Sequence, residues 1–117
     1  MTQIPVAIRL DKSKTVLHLD YEQAQFSLNA EYLRVYSPSA EVRGHGVGQE
    51  VLQVGKRAVR IIGVEAVGNY ALKLVFSDGH DSGLYDWAYL HELAQTEADK
   101  WQQYLQRLTA AGASRDA

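Results

Sequence analysis

The stretch Phe76-Ser77-Asp78-Gly79-His80 carries the side chain with the most evident chemical potential. An imidazole changes charge near neutral pH, so His80 could move a proton or bind a borderline cation. Asp78 and Asp81 flank it and could add oxygen ligands. A specific metal site needs three or more converging ligands, however, and a tight turn with neighbouring acids is usually just solvated. His18-Leu19-Asp20 is literally the His-x-Asp of an iron facial triad, and strand alternation puts both side chains on one face. That triad also needs a distant second His inside an enclosing barrel, and too few strands surround it here. Gly44-His45-Gly46-Val47-Gly48 departs from Gly-x-Gly-x-x-Gly and precedes an apparent strand where a phosphate-binding helix should begin. No Gly-Lys-Ser/Thr occurs. Trp87, Tyr89, Trp101 and Tyr104 fall at helical spacing and read as core and core-rim residues, not a base-stacking platform. No paired carboxylates and no Ser/His/Asp set stand out by spacing.

His80 needs elements on both sides to hold it. Asp78-Gly79 between extended runs is a strong hairpin signal, because Gly79 can take positive φ. Leu72, Leu74 and Phe76 alternate before it, and Leu90, Leu93 and Ala94 follow at helical spacing. Upstream, Val6–Leu10 and Thr15–Asp20 read as strands, Phe26–Leu28 as a short return, and Asn29 as the N-cap of a helix from Ala30 to about Tyr36. Residues 37–50 form an ordered loop, followed by β-rich segments at Val51–Val54, Val59–Val67 and Tyr70–Phe76. From Asp86 the pattern is helical, with a break near Gln95 and a weak capping box at Thr96–Asp99. Leu17 to Leu33 repeats the strand, turn, return and helix scheme of Leu72 to Leu90, which would place both helices on one side of one sheet.

With 117 residues, 46% apolar and 22% charged, the chain is expected to form one α+β domain over residues 1–110, with a flexible tail at 111–117. The layout is two layers: an antiparallel sheet with helices packed on one side, and a C-terminal helical segment. A net charge of −2 argues against a general nucleic-acid binder. No apolar run approaches the roughly 20 residues of a membrane span, and no secretory signal is visible at the N-terminus. The absence of cysteine excludes disulfides, thiolate catalysis and cysteine-ligated metals, and it fits a cytoplasmic protein. Charge is uneven: Arg34, Arg43, Lys56, Arg57 and Arg60 lie in residues 34–60, whereas residues 78–99 hold six acids and no Lys or Arg. Such an arrangement can steer a charged partner.

Leu33-Arg34 with the loop after it, and Phe76-Ser-Asp-Gly-His80 followed by Tyr85, Trp87 and Leu90, together resemble a known family. It is the small domain at the N-terminus of gamma-butyrobetaine hydroxylase and its relatives. The same domain occurs alone in bacteria and fused to some P-loop iron–sulfur carriers. In the hydroxylase branch, Cys-Pro-Cys and a third Cys bind zinc with the His of the Asp-Gly-His turn. Here those positions read Ser37-Pro38-Ser39, with the third near Val42. Hydroxyls are poor zinc ligands at neutral pH, so the resemblance implies a zinc-free member. It also implies that loop 37–45 lies beside His80, with His45 the one obvious residue to rebuild a partial site. It supplies no catalysis, because the hydroxylase's oxygenase chemistry belongs to a separate domain.

The expectation is therefore a small non-enzymatic binding module with no cofactor and no metal. Its partner would be a protein, with a link to iron–sulfur assembly or delivery. Candidate contact residues are Arg34, Tyr36, Ser37, Ser39, Arg43, His45, Asp78, His80 and Asp81. The alternative is a metal- or small-ligand-binding domain centred on His80.

Overall fold

A computed structural model describes residues 3–44, 46 and 48–116. Two antiparallel meanders make up its β-structure. The first runs β1 (Ala7–Leu10), β2 (Val16–Asp20), β3 (Gln25–Asn29); the second runs β4 (Ile61–Val67), β5 (Ala71–Phe76), β6 (Leu84–Asp86). Each is a separate three-stranded sheet in sequential order. The α+β class and antiparallel pairing are as expected, but the expected single sheet is divided in two. Local alternation specifies which neighbours pair, and it carries no information about whether β3 meets β4 across the long connection between them.

The meander-then-helix scheme does occur twice. Helix α1 (Ala30–Val35) follows β3, and helix α3 (Trp87–Gln95) follows β6. In β2, Leu17 and Leu19 point inward and are fully buried, opposite Leu28 and Phe26 of β3. His18 and Asp20 occupy the outer face, where His18 Nδ1 hydrogen-bonds Ser27 Oγ at 2.9 Å and Asp20 pairs with Arg9. The apparent facial triad is thus an ordinary polar strand face. In β5, Leu72, Leu74 and Phe76 line the inner face, and Leu72 sits opposite Tyr85 of β6. Leu17, Leu19, Leu28, Leu33, Ile61, Leu74, Leu90 and Leu93 join one core that spans both sheets.

Helix α1 is buried along its whole length. Asn29 precedes it without a side-chain cap bond, and the Ala30 N–H instead donates to Thr15 O at 2.7 Å. Loop 37–50 contains a four-residue helix, α2 (Ala40–Arg43), started by Ser39, whose hydroxyl accepts the Glu41 N–H. Val51–Val54 is not a strand. It pairs with none of the strands among the described residues, and Val51 and Val54 are about half exposed.

The helix break falls at Thr96, between α3 and α4 (Glu97–Ala110). Thr96 forms no capping box there; its hydroxyl donates back to Glu92 O at 2.7 Å. Residues 111–116, expected as a flexible tail, fold back on the domain. Gly112 turns the chain with φ 63°, and Ser114 O and Arg115 O accept the N–H groups of Gly55 and Arg57. Among the described residues, no helix is long and apolar enough to cross a membrane.

Candidate functional site

The Asp78-Gly79 turn is built as a tight reversal. Gly79 takes φ 90°, its N–H donates to Phe76 O, and the Phe76 N–H donates to His80 O. Asp78 anchors this turn to the rest of the molecule. Its Oδ2 accepts from Arg34 Nε at 2.9 Å and from Lys56 Nζ at 2.6 Å, and its Oδ1 accepts the His80 N–H. Arg34 is itself buried, and its Nη1 has no hydrogen-bond partner among the described residues. Asp78 is therefore the anionic partner that keeps an interior guanidinium compensated.

Beyond α1 the chain passes Ser37 and Ser39, both buried, and reaches His80, also buried. His80 Nδ1 lies 3.1 Å from Glu41 Oε2, and Nε2 lies 2.8 Å from Ser37 Oγ. The Glu41 carboxylate can only accept, so Nδ1 carries the proton, Nε2 is the acceptor, and Ser37 donates to it. Ser37 Oγ in turn accepts the Ser39 N–H at 3.2 Å, and the hydroxyls of Ser39 and Ser82 share a hydrogen bond of 2.7 Å. Serine, imidazole and carboxylate in this order form the relay that activates a nucleophile in hydrolases. Here Ser37 is 1% exposed, and Gly83 packs so closely that a Cβ there would overlap its Oγ. That hydroxyl is therefore enclosed by its neighbours and almost wholly shielded from solvent.

Of the residues singled out from sequence, Arg34, Ser37, Ser39, Asp78 and His80 come together in this cluster. Tyr36 does not join it; its hydroxyl donates to Lys100 O at 2.6 Å and braces α4. Arg43 is exposed and lies over the Tyr89 ring, 4.6 Å from its centroid. Asp81 is exposed, with Lys73 Nζ at 3.8 Å. His45 lies outside the described residues. Glu41, Lys56, Ser82 and Gly83 were not anticipated. Only Glu41 left a local signal, as an acid just inside a helix that Pro38-Ser39 could start.

Burial opposes charge on both titrating groups, with different outcomes. For Asp78, burial pushes the carboxyl up, but the Lys56 ammonium, the His80 N–H and the Arg34 guanidinium override it and hold it down at about 2. Burial, and then the Arg34 charge, hold the His80 imidazole below its ordinary value against the opposing pull of Glu41. Both shifts are depressions, so below each ordinary value the unfolded chain takes up the proton first and folding weakens. Acid unfolding should therefore show two components. The His80 component begins below about pH 6.5, and an Asp78 component of about 2 kcal/mol is lost between about pH 4 and 2. Thermal melts across this range check it: His80→Asn should flatten the upper component and Asp78→Asn the lower one.

The residues at the positions that resemble a zinc site do not fit the metal. Two hydroxyls and an isopropyl stand where thiolates would be required, and both imidazole nitrogens already have partners. Among the described residues, no group of three or more His, Asp or Glu converges to hold an ion.

Residues 8–91 match the family described as gamma-butyrobetaine hydroxylase-like, N-terminal. The chain belongs to this family. Solved structures share the fold of this gamma-butyrobetaine hydroxylase-like N-terminal domain over 77–99% of its length. One protein solved by NMR in solution is 53% identical, with a TM-score of 0.87 over 99% of this chain and 92% of its own. A second NMR structure is 49% identical, with a TM-score of 0.82 over 97% of this chain and 86% of its own. A crystal structure from Acidithiobacillus ferrooxidans, a protein of unknown function in the DUF971 family, is 34% identical. Its TM-score is 0.63 over 77% of this chain and 91% of its own. No curated protein matches the chain.

Proposed function

We propose that this gamma-butyrobetaine hydroxylase-like N-terminal domain is a cytoplasmic, non-enzymatic module that binds a protein partner, and that it has given up the zinc of its cysteine-bearing relatives. One observation carries the reading. The Ser37–His80–Glu41 chain joins two loops 43 residues apart while leaving no reachable nucleophile and no free imidazole nitrogen. Its effect is to hold a surface in shape. In these two loops Glu41, Arg43, Asp81 and Ser82 are exposed, and Leu84, which opens β6 just after them, is half-exposed. Exposed polar and charged residues of both signs with an exposed leucine close in sequence suit a polar-rimmed protein interface. Metallocofactor assembly or delivery is the proposed setting, supported by the occurrence of related domains fused to iron–sulfur carriers, which is an analogy of family.

The test is direct binding to purified iron–sulfur carrier and scaffold proteins, with Arg43→Glu/Asp81→Lys as control. Binding that the folded double variant loses at least tenfold supports the reading. No binding, or equal binding by the variant, overturns it. The rival ligand site at His80 predicts a different result. Zinc or iron(II) at 100 times its dissociation constant would stabilise the fold by about 2.7 kcal/mol, and a flat melt disposes of that site.

A further inference from the structure

Arg115 is held as a bound ligand would be. Its Nη2 and Nε donate to Glu31 Oε1 and Oε2 at 2.6 and 2.8 Å, a two-pronged pairing, and its guanidinium lies 5.0 Å from the centroid of the Trp101 ring. The Glu31 side chain is only 7% exposed. Around the pair is a cleft of about 210 Å³ lined by Thr15, Asn29, Arg57 and Val59. A buried carboxylate needs a cation, and a planar fork satisfies both its oxygens in a way an ammonium does not.

The strap that delivers Arg115 is fastened mainly through its main chain. Beyond the turn at Gly112, the Ala113 N–H donates to Leu108 O and Ala113 packs beside Leu108. Two hydrogen bonds from the Gly55 and Arg57 N–H groups then hold the strap, with an exposed Arg57–Asp116 pair. Exposed pairs of that kind contribute little. The strap thus presents a bent Ser-Arg-Asp segment, read by two main-chain hydrogen bonds, a guanidinium slot and a cation for the following acid.

We propose that the slot between Glu31 and Trp101 is an arginine-recognition site for a Ser-Arg-Asp-like segment of a partner protein, occupied in the free chain by its own C-terminal strap. The site is independent of the surface around His80. The tethered strap competes at an effective concentration in the millimolar range, so the intact chain masks the slot from weaker ligands.

The test uses full-length Arg115→Ala and a fluorescent peptide, Ala-Ser-Arg-Asp-Ala. The peptide should bind this variant at least tenfold more tightly than the wild-type chain. Replacing the peptide's arginine with lysine should weaken binding tenfold or more, and adding Glu31→Gln to the variant should abolish it. Equal affinity for wild type and variant, indifference to lysine, or binding that survives Glu31→Gln overturns the proposal. So does a concentration-dependent wild-type dimer lost in Glu31→Gln, which would make a second copy the occupant. If Arg115→Ala does not fold, Arg115→Lys keeps the stem and charge without the fork and carries the same comparisons.

Discussion

Replacing Asp78 with alanine is expected to lower the unfolding free energy by about 3–5 kcal/mol, the range for breaking a buried ion pair from one side. The size follows from what is left behind. Arg34 is inside the protein, its Nη1 is already without a partner among the described residues, and Asp78 holds its Nε. Without the carboxylate the guanidinium keeps its charge, because no accessible pH removes it. Lys56 and the His80 N–H lose their acceptor in the same change. Asp78→Asn retains an oxygen for the His80 N–H and should lose less, so the difference between the variants separates the charge from the turn hydrogen bond. Urea unfolding at pH 7 measures both. A loss below about 0.5 kcal/mol for Asp78→Ala, the scale of an ordinary surface substitution, would show that the pair does not hold the turn to α1.

The second large effect is a gain. Ser37→Cys/Ser39→Cys/Val42→Cys is expected to bind about one zinc per chain tightly; structural zinc in peptides is worth about 10–16 kcal/mol at pH 7. In a tetrahedral site, neighbouring sulfur and nitrogen ligands stand about 3.5 Å apart. Ser37 Oγ and His80 Nε2 are 2.8 Å apart, so the loop must open by less than an ångström. Ser39 and Val42 lie one turn apart at the start of α2. Glu41 already accepts from Nδ1, the outer contact that orients a zinc-bound histidine. Metal analysis of the purified triple variant, and its melting temperature with and without chelator, check this. His80→Ala in the triple variant should release the metal. If the triple variant binds no more zinc than the wild type, the serine loop lacks the shape of the cysteine loop it resembles.

How much of this was legible in the sequence varied with distance along the chain. The alternation of Leu17 with Leu19, and of Leu72, Leu74 and Phe76, is a local signal, and all five face the core. The Asp78-Gly79 turn and the break before α4 were readable for the same reason. Helix α2 was hidden because four residues are too few to show a period inside a glycine-rich stretch. Glu41 could not be matched with His80, 39 positions away, because exposed acids are common and nothing marks this one. The approach of Ser37 to His80 was expected only from family resemblance; periodicity is silent on which loops meet. Arg115 and Glu31, 84 positions apart, pair through a tail whose composition reads as solvent-loving.

The tyrosine hydroxyls reach across the molecule. Tyr32 of α1 donates to Leu93 O of α3, Tyr85 of β6 donates to Leu33 O of α1, and Tyr89 of α3 donates to Tyr36 O. Each of the two β-meander units thus completes the main-chain bonding of the other. Melting either unit removes hydroxyl donors from carbonyls of the other and opens the core they share, so the pair is expected to unfold as one cooperative unit despite its two sheets.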